Sequence, residues 1–256
     1  EIYTLSLHDA LPISILSIKT IILILTTTMM MNGCKGQTQA PVVRPATQAN
    51  RFYTGDAREL SEEVDSFLAL HKDDAKYSHV AALIVPHAGY YFSGNVAASA
   101  YMAIDAKKQY KRIFLLGPSH HEWLDGASVN TEADYYATPL GNVKVDHETA
   151  MKLTTTNRTN LTNKKTIDYA DSTDFFYRAE AHDREHCLEV QLPFLQRMFK
   201  EVPSIVPIVI STNDYDKLKR MAEVLKPYFT DGNLFVISSD FSHYPSYEDA
   251  YEVDRS

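Results

Sequence analysis

Histidine follows directly after three apolar segments of this sequence. The segments that carry these histidines are Pro86–Tyr90 (PHAGY), Gly117–His121 (GPSHH) and Ser238–His243 (SSDFSH). Short apolar runs stopped by Pro or polar residues predict buried strands, and the carboxyl ends of parallel strands line the ligand crevice of an open α/β sheet. One histidine at a strand end is usually an ordinary hydrogen-bonding residue. Three of them, His87, His120 and His243, favour a site that binds a metal or performs acid–base chemistry, because imidazole does both.

Acidic side chains accompany these histidines. Asp240 precedes His243 by three residues, so its carboxylate is expected to orient that imidazole and raise its basicity. His186 and Glu189 have the same spacing in a helical pattern, which places them on one helix face. They either share a ligand or form an ordinary capping or ion pair. Cys187 points away from His186 on a helix and is predicted to lie in the core.

The composition excludes several classes of protein. The 25 basic and 33 acidic side chains give a formal net charge of −8, whereas nucleic-acid backbones are bound by clustered Lys and Arg. We therefore expect no nucleic-acid partner. Two cysteines, Cys34 and Cys187, are too few for a disulfide framework or a Cys-rich zinc module. The sequence also has no G-x-G-x-x-G, Walker, G-x-S-x-G or H-E-x-x-H motif.

The sequence before residue 43 is expected to precede the folded domain. Residues 1–34 combine an adapter-like start (1–13) with a basic residue, the apolar run Ile21–Leu25 and a Gly-Cys pair. That pattern is typical of a secretory signal, either a plain one or that of a bacterial lipoprotein. Residues 35–42 are predicted to form a polar tether. We expect an exported protein that is periplasmic or held at a membrane through a lipid on Cys34.

Apolar runs alternate with helical patterns over residues 43–256. The predicted strands are 80–85, 113–116, 205–210 and 234–237, and the predicted helices are 56–70, 94–104, 185–199 and 215–228. Residues 127–146 are predicted as strands and turns, and 157–184 as a loop. This alternation predicts a single α/β domain with a largely parallel sheet and flanking helices. The last acidic stretch has no helix-end signal, so we expect that the C-terminal part of the domain is missing.

The order of these motifs resembles that of the Memo-like family, also called AmmeMemoRadiSam system protein B. The three histidine segments, His186 with Glu189, and Asn50–Thr54 (NRFYT) follow the family's order over about residues 43–256. The family is similar in fold to the class III (LigB-type) extradiol dioxygenases. The resemblance therefore implies a LigB-dioxygenase-like fold and an iron or copper ion held by two histidines, which match His87 and His120.

The resemblance also assigns roles to other residues. The family's third metal ligand is a cysteine that would lie beyond Ser256, and His243 matches the pocket histidine that acts as the acid–base residue in the dioxygenases. Phe52 stands where an animal member of the family has Trp. The residues that we expect around a substrate pocket are Phe52, Tyr90, His121, His186 and Glu189.

Three functions remain open from the sequence. The first is a redox-type protein that binds iron or copper, and the second is a non-haem metal-dependent, dioxygenase-like enzyme acting on a small aromatic substrate. The third is a metal-free pocket for a peptide or small ligand. One shared metal requires the nearest ring nitrogens of His87 and His120 to lie within about 5 Å, because metal–nitrogen bonds are about 2.1 Å long.

Overall fold

The computed structural model describes residues 40–105, 107–163 and 174–255. The predicted leader, Cys34 and the start of the tether lie outside the described residues. Residues Pro41–Ser256 form one compact unit. Within the described ranges, no helix has both the length and the apolar character needed to cross a bilayer.

A six-stranded sheet forms the centre of the fold, and three further strands form a separate, smaller sheet. The strands are β1 (Val43–Arg44), β2 (Ala82–Val85), β3 (Arg112–Pro118), β4 (Ala127–Val129), β5 (Tyr135–Thr138), β6 (Gly141–Lys144), β7 (Phe175–Phe176), β8 (Ser204–Ile210) and β9 (Asn233–Ser238). The large sheet has the order β2-β9-β3-β8-β4-β7 and the small one β1-β5-β6. In the large sheet only the β4–β8 pair is antiparallel. The prediction of an α/β domain with a largely parallel sheet is confirmed.

Helices cover both faces of the large sheet. They are α1 (Ala57–Leu70), α2 (Tyr90–Met102), α3 (His147–Asn163), α4 (Glu180–Asp183), α5 (His186–Glu189), α6 (Leu192–Met198), α7 (Tyr215–Leu225), a 3-10 turn (Lys226–Tyr228) and α8 (Tyr247–Val253). Successive residues of a strand point to opposite faces. Ile113 and Leu115 of β3 accordingly join the core built with α1, α2 and α6. Phe114 and Leu116 join the core built with α3 and α7.

Two predictions of secondary structure were wrong. The single helix predicted for residues 185–199 is broken into α5 and α6, because Pro193 lacks an N–H and its ring would clash with the carbonyl of Glu189 in a continuous helix. Residues 157–184 were predicted as a loop, but within the described part of that range residues 157–163 complete α3, Phe175–Phe176 form β7 and Glu180–Asp183 form α4. The remaining predicted strands and helices lie where expected, with shifts of up to four residues at their ends.

Candidate metal centre

The sheet brings two of the predicted histidines to one edge. Strands β2 and β3 both pair in parallel with β9, so their carboxyl ends lie side by side. His87 follows the end of β2 by two residues, and His120 follows the end of β3 by two residues. Asp240 follows the end of β9 by the same number. The three side chains therefore meet at the position where an open α/β sheet binds its ligand.

His186 completes a cluster of three imidazoles. It is the first residue of α5, and its ring centroid lies 4.1 Å from that of His120 and 5.4 Å from that of His87. The His87 and His120 centroids are 5.1 Å apart. One ring nitrogen from each of the three lies within 4.8 Å of the others. The distance condition for a metal shared by His87 and His120 is therefore met.

Hydrogen bonds define which nitrogen of His87 faces the cluster. The hydroxyl of Ser238 donates its hydrogen to the backbone carbonyl of Cys187 at 2.7 Å. A hydroxyl has a single hydrogen, so Ser238 Oγ accepts from His87 Nδ1 at 2.9 Å and from Gln191 Nε2 at 3.0 Å. The lone pair of His87 is consequently on Nε2.

Asp240 turns its carboxylate toward this cluster. Its Oδ1 accepts the backbone N–H of His87 at 2.6 Å. Its Oδ2 is buried and accepts no hydrogen bond within the described part of the chain, although it lies 3.5 Å from His87 Nε2 and 3.3 Å from His243 Nδ1. A buried carboxylate oxygen normally has a partner. A cation bound beside Nε2 of His87 would supply one, so the residues present fit a metal ion.

A strained residue directs the turn after β9. Phe241 has φ of 58°, in the left-handed region that costs a residue with a Cβ about 1–2 kcal/mol. The turn allows Asp240 to point inward toward His87 while His243, half of whose side chain is exposed, folds back over it. Backbone strain of this kind concentrates at functional sites.

Burial lowers the pKa of two of the imidazoles. It is the main cause that lowers the pKa of His87. Burial, with a smaller contribution from the adjacent imidazole of His120, lowers the pKa of His186 to about 4. Burial works in the opposite direction on Glu185, yet hydrogen bonds from the ring and backbone of His120 and from the backbone of Cys187 lower its pKa to about 2.

Glu189 does not join His186 in the cluster. Its carboxylate is fully buried and forms an ion pair with Arg44, and it also accepts from the Tyr53 hydroxyl and the backbone N–H of Gln48. The ion pair of Glu189 is thus with Arg44 and not with His186. The contact fixes the segment after β1 against α5.

Tyr90 and Cys187 also lie in the core. Tyr90 is 2% exposed, and its hydroxyl donates to the carbonyl of Val190 at 2.6 Å, so it does not present a surface to the pocket that we expected it to line. Cys187 is fully buried, and its Sγ donates to the carbonyl of Pro118. Burial raises the pKa of this thiol well above its ordinary range. The prediction of Cys187 as a core residue is confirmed.

Phe52 and His121 are both neighbours of His186. The Phe52 ring stacks on His186 with centroids 4.3 Å apart, and the exposed His121 ring lies 6.4 Å from it. A solvent-open crevice of about 630 Å³ reaches Ser238, the hydrogen-bond partner of His87. Its lining includes Pro118, Ser119, Trp123, Ile210, Ile237 and Ser238. A small molecule in this crevice would contact Ser238, the residue that holds His87.

The sequence did not single out three residues that shape the site. Ser238, Glu185 and Arg44 all act through hydrogen bonds between segments far apart in the chain. A polar residue closing an apolar strand was a usable signal for Ser238. Nothing in the local pattern distinguished Glu185 or Arg44 from other charged residues.

The sequence of this chain is similar to that of one family of known proteins. The profile of the Memo-like protein family matches residues 44–256. MEMO1 family protein MHO1 of Saccharomyces cerevisiae is 32% identical over 212 residues, which cover 79% of this chain and 60% of the yeast protein. A MEMO1 family protein of Aquifex aeolicus is 35% identical over 218 residues, with 83% and 72% covered. One of Nitrosopumilus maritimus is 29% identical over 221 residues, with 84% and 74% covered.

Each match covers a larger share of this chain than of the relative. This chain spans about 60% of the length of the yeast relative and 63% of Protein MEMO1 of Xenopus laevis. The family profile nevertheless includes every residue of the imidazole cluster, together with Asp240 and His243. The chain belongs to the Memo-like protein family.

Proposed function

We propose that this chain binds one iron or copper ion through His87, His120 and His186 and that the protein serves one-electron chemistry. The observation that supports the proposal is the convergence of three imidazole nitrogens within 4.8 Å, next to a buried Asp240 oxygen that accepts no hydrogen bond within the described chain. Imidazole donors suit iron and copper, as well as zinc and nickel.

His186 distinguishes this donor set from the one that the family resemblance implied. The resemblance gave two histidines and a cysteine beyond Ser256, whereas His186 offers a third nitrogen from within the described chain. Its side chain is only 13% exposed, and Phe52 covers one face of the ring. Such a ligand is already ordered before any ion binds.

The chain's own residues hold the donors and control their surroundings. Ser238 orients His87, and Asp240 contributes negative charge beside His87 Nε2. A bound iron or copper ion would supply exchange of single electrons between its two common oxidation states. The open crevice gives an electron donor or acceptor access to the neighbourhood of Ser238.

Electron transfer to ferricyanide tests this proposal. The chain is loaded anaerobically with Fe(II) or Cu(I), desalted and mixed with ferricyanide. We expect metal-dependent reduction of ferricyanide that His243→Ala retains and His87→Ala loses, because His87 is one of the proposed ligands of the ion and His243 is not. Reduction that is equal before and after chelation would contradict the proposal. Binding of a peptide or small ligand with the same affinity in the presence and absence of chelator would favour the metal-free pocket.

A second candidate is a dioxygenase-like metalloenzyme. The observation that favours it is the contact of Asp240 Oδ2 with His243 Nδ1 at 3.3 Å, directly beside His87. This arrangement allows His243 to move a proton to or from a bound substrate. Oxygen uptake with a small aromatic diol tests it: His243→Ala would abolish turnover and leave metal binding intact. The absence of any metal-dependent oxygen uptake would exclude this candidate.

A further inference from the structure

A buried carboxylate connects two of the three imidazoles. Glu185 precedes α5, and its side chain is 1% exposed. Its Oε2 accepts the backbone N–H of His120 at 2.7 Å, while its Oε1 accepts from His120 Nδ1 at 2.8 Å. Oε1 also accepts the backbone N–H groups of His186 at 2.9 Å and Cys187 at 3.1 Å. Both oxygens therefore act as acceptors, as those of an ionised carboxylate do.

The same oxygen faces the side-chain nitrogens of both rings. Glu185 Oε1 lies 3.4 Å from Nδ1 of His186 as well as 2.8 Å from Nδ1 of His120. Because the carboxylate can only accept, the hydrogen of His120 is on Nδ1 and its lone pair is on Nε2. This is the same tautomer that Ser238 imposes on His87.

We propose that Glu185 is the positioning residue of the metal centre: one carboxylate fixes the ring orientation of His120 and His186 together. It also supplies a fixed negative charge against a bound divalent cation. The inference about metal affinity rests on the proposed function, whereas the inference about the tautomer of His120 does not. Hydrogen-bond partners of metal-ligating histidines contribute about 10–100-fold to metal affinity.

The tautomer can be measured on the metal-free wild-type protein. Nitrogen-15 labelling of histidine followed by long-range proton–nitrogen NMR identifies which ring nitrogen carries the hydrogen. We expect His120 to carry it on Nδ1. A hydrogen found on Nε2 would overturn the proposal, and this readout depends neither on a variant that folds nor on a metal that binds.

Three variants test the effect on affinity, with Fe(II) titrated anaerobically into each. Glu185→Gln removes the charge, and Glu185→Asp keeps a carboxylate that caps α5 but withdraws it from the His120 ring. The matched control is Glu180→Gln, which removes an exposed charge at the start of α4. We expect about 10–100-fold weaker Fe(II) binding for both Glu185 variants and no change for the control.

The outcomes separate this inference from the proposed function. Wild-type affinity in a folded Glu185→Asp variant, verified by circular dichroism, would overturn the positioning role. If neither Glu185 variant folds, the tautomer of His120 in the wild type decides. A wild type that binds no Fe(II) and no Cu(I) would contradict the proposed function while leaving the tautomer result standing.

Discussion

The ring of Phe52 is stacked on the imidazole of His186, with centroids 4.3 Å apart and planes inclined by 21°. The backbone carbonyl of Phe52 accepts from the N–H of Tyr90 at 2.8 Å, at the start of α2. The segment that carries Phe52 is therefore held from two sides, since Glu189 binds Arg44 and the backbone of Gln48 a few residues earlier. One wall of the candidate site is built by a segment more than 130 residues away in sequence from His186.

Removing the Phe52 ring should reduce Fe(II) affinity and have only a moderate effect on the stability of the fold. We expect Phe52→Ala to lower the free energy of unfolding by roughly 1–2 kcal/mol, less than for a fully buried Phe. Fe(II) affinity should fall several-fold because the His186 ring gains freedom. Phe52→Trp keeps an aromatic face and serves as the control. Equal Fe(II) affinity in wild type and Phe52→Ala, measured by anaerobic titration, would show that the stack does not order His186.

The buried ion pair of Arg44 and Glu189 should be essential for stability. Glu189→Gln leaves the Arg44 charge without its partner in the core, and breaking a buried pair costs about 3–5 kcal/mol. The exposed pair of Arg197 and Asp65 provides a matched comparison, because removing a surface partner costs about 0–1 kcal/mol. Urea denaturation of Glu189→Gln and Asp65→Asn measures both. Similar losses in the two variants would contradict this ranking.

Gly117 has no room for a side chain at the end of β3. A Cβ at this position would lie 2.4 Å from Cys187 Sγ, so Gly117→Ala must displace α5, which carries His186. We expect a loss of about 1–3 kcal/mol from overpacking, together with weaker Fe(II) binding. Gly232→Ala is the control, because a Cβ there meets nothing within 4 Å. Unchanged stability of Gly117→Ala in thermal denaturation would contradict the packing described for Cys187.

His182 should make stability depend on pH. Burial, with a smaller contribution from the Arg44 charge, lowers its pKa to about 3, against about 6.5 for an unfolded chain. Between these values the unfolded state binds a proton that the native state does not. The free energy of unfolding therefore falls as pH decreases from 6.5, by roughly 1.4 kcal/mol per pH unit from this residue alone.

Replacement of this residue tests its part in the pH dependence. His182 contacts Ser128 Oγ and the Tyr136 hydroxyl, each at 3.0 Å, so His182→Gln keeps polar atoms at the position while removing the titration. Urea denaturation at several pH values between 4 and 8 should show a shallower dependence below pH 6.5 in the variant. An identical slope in both proteins would exclude His182 as the cause.

Local patterns were sufficient to predict the edge of the sheet where the site lies. Apolar runs followed by Pro86, by Gly117 with Pro118, and by Ser238 identified strands β2, β3 and β9, and the rule that parallel strands present their carboxyl ends together placed His87 beside His120. His243 was predicted at the same edge and lies there, next to Asp240. The antiparallel pairing of β4 with β8 depends on contacts between distant segments and had no local signal.

Contacts with residues far apart in the sequence determine where the side chains of His186 and Glu189 lie. His186 and Glu189 share a spacing that fits either a common ligand or separate contacts. Arg44 draws Glu189 into the core, whereas Phe52 and Glu185 keep His186 at the cluster. Pro193 is a local signal for the break in the helix predicted for residues 185–199, because proline cannot continue a helix. The role of Glu185 has no local signal in the sequence, because it depends on the contact of its side chain with His120, which follows β3.

Metal content tests the central claim most directly. The chain is purified anaerobically, incubated with Fe(II) or Cu(I), desalted and subjected to elemental analysis, beside His87→Ala, His120→Ala and the surface control His79→Ala, whose side chain is 42% exposed. We predict a stoichiometric ion in the wild type and in His79→Ala, and its loss in the other two variants. A wild type that retains neither metal, or His87→Ala and His120→Ala variants that retain it fully, would contradict the account of this cluster as a metal centre.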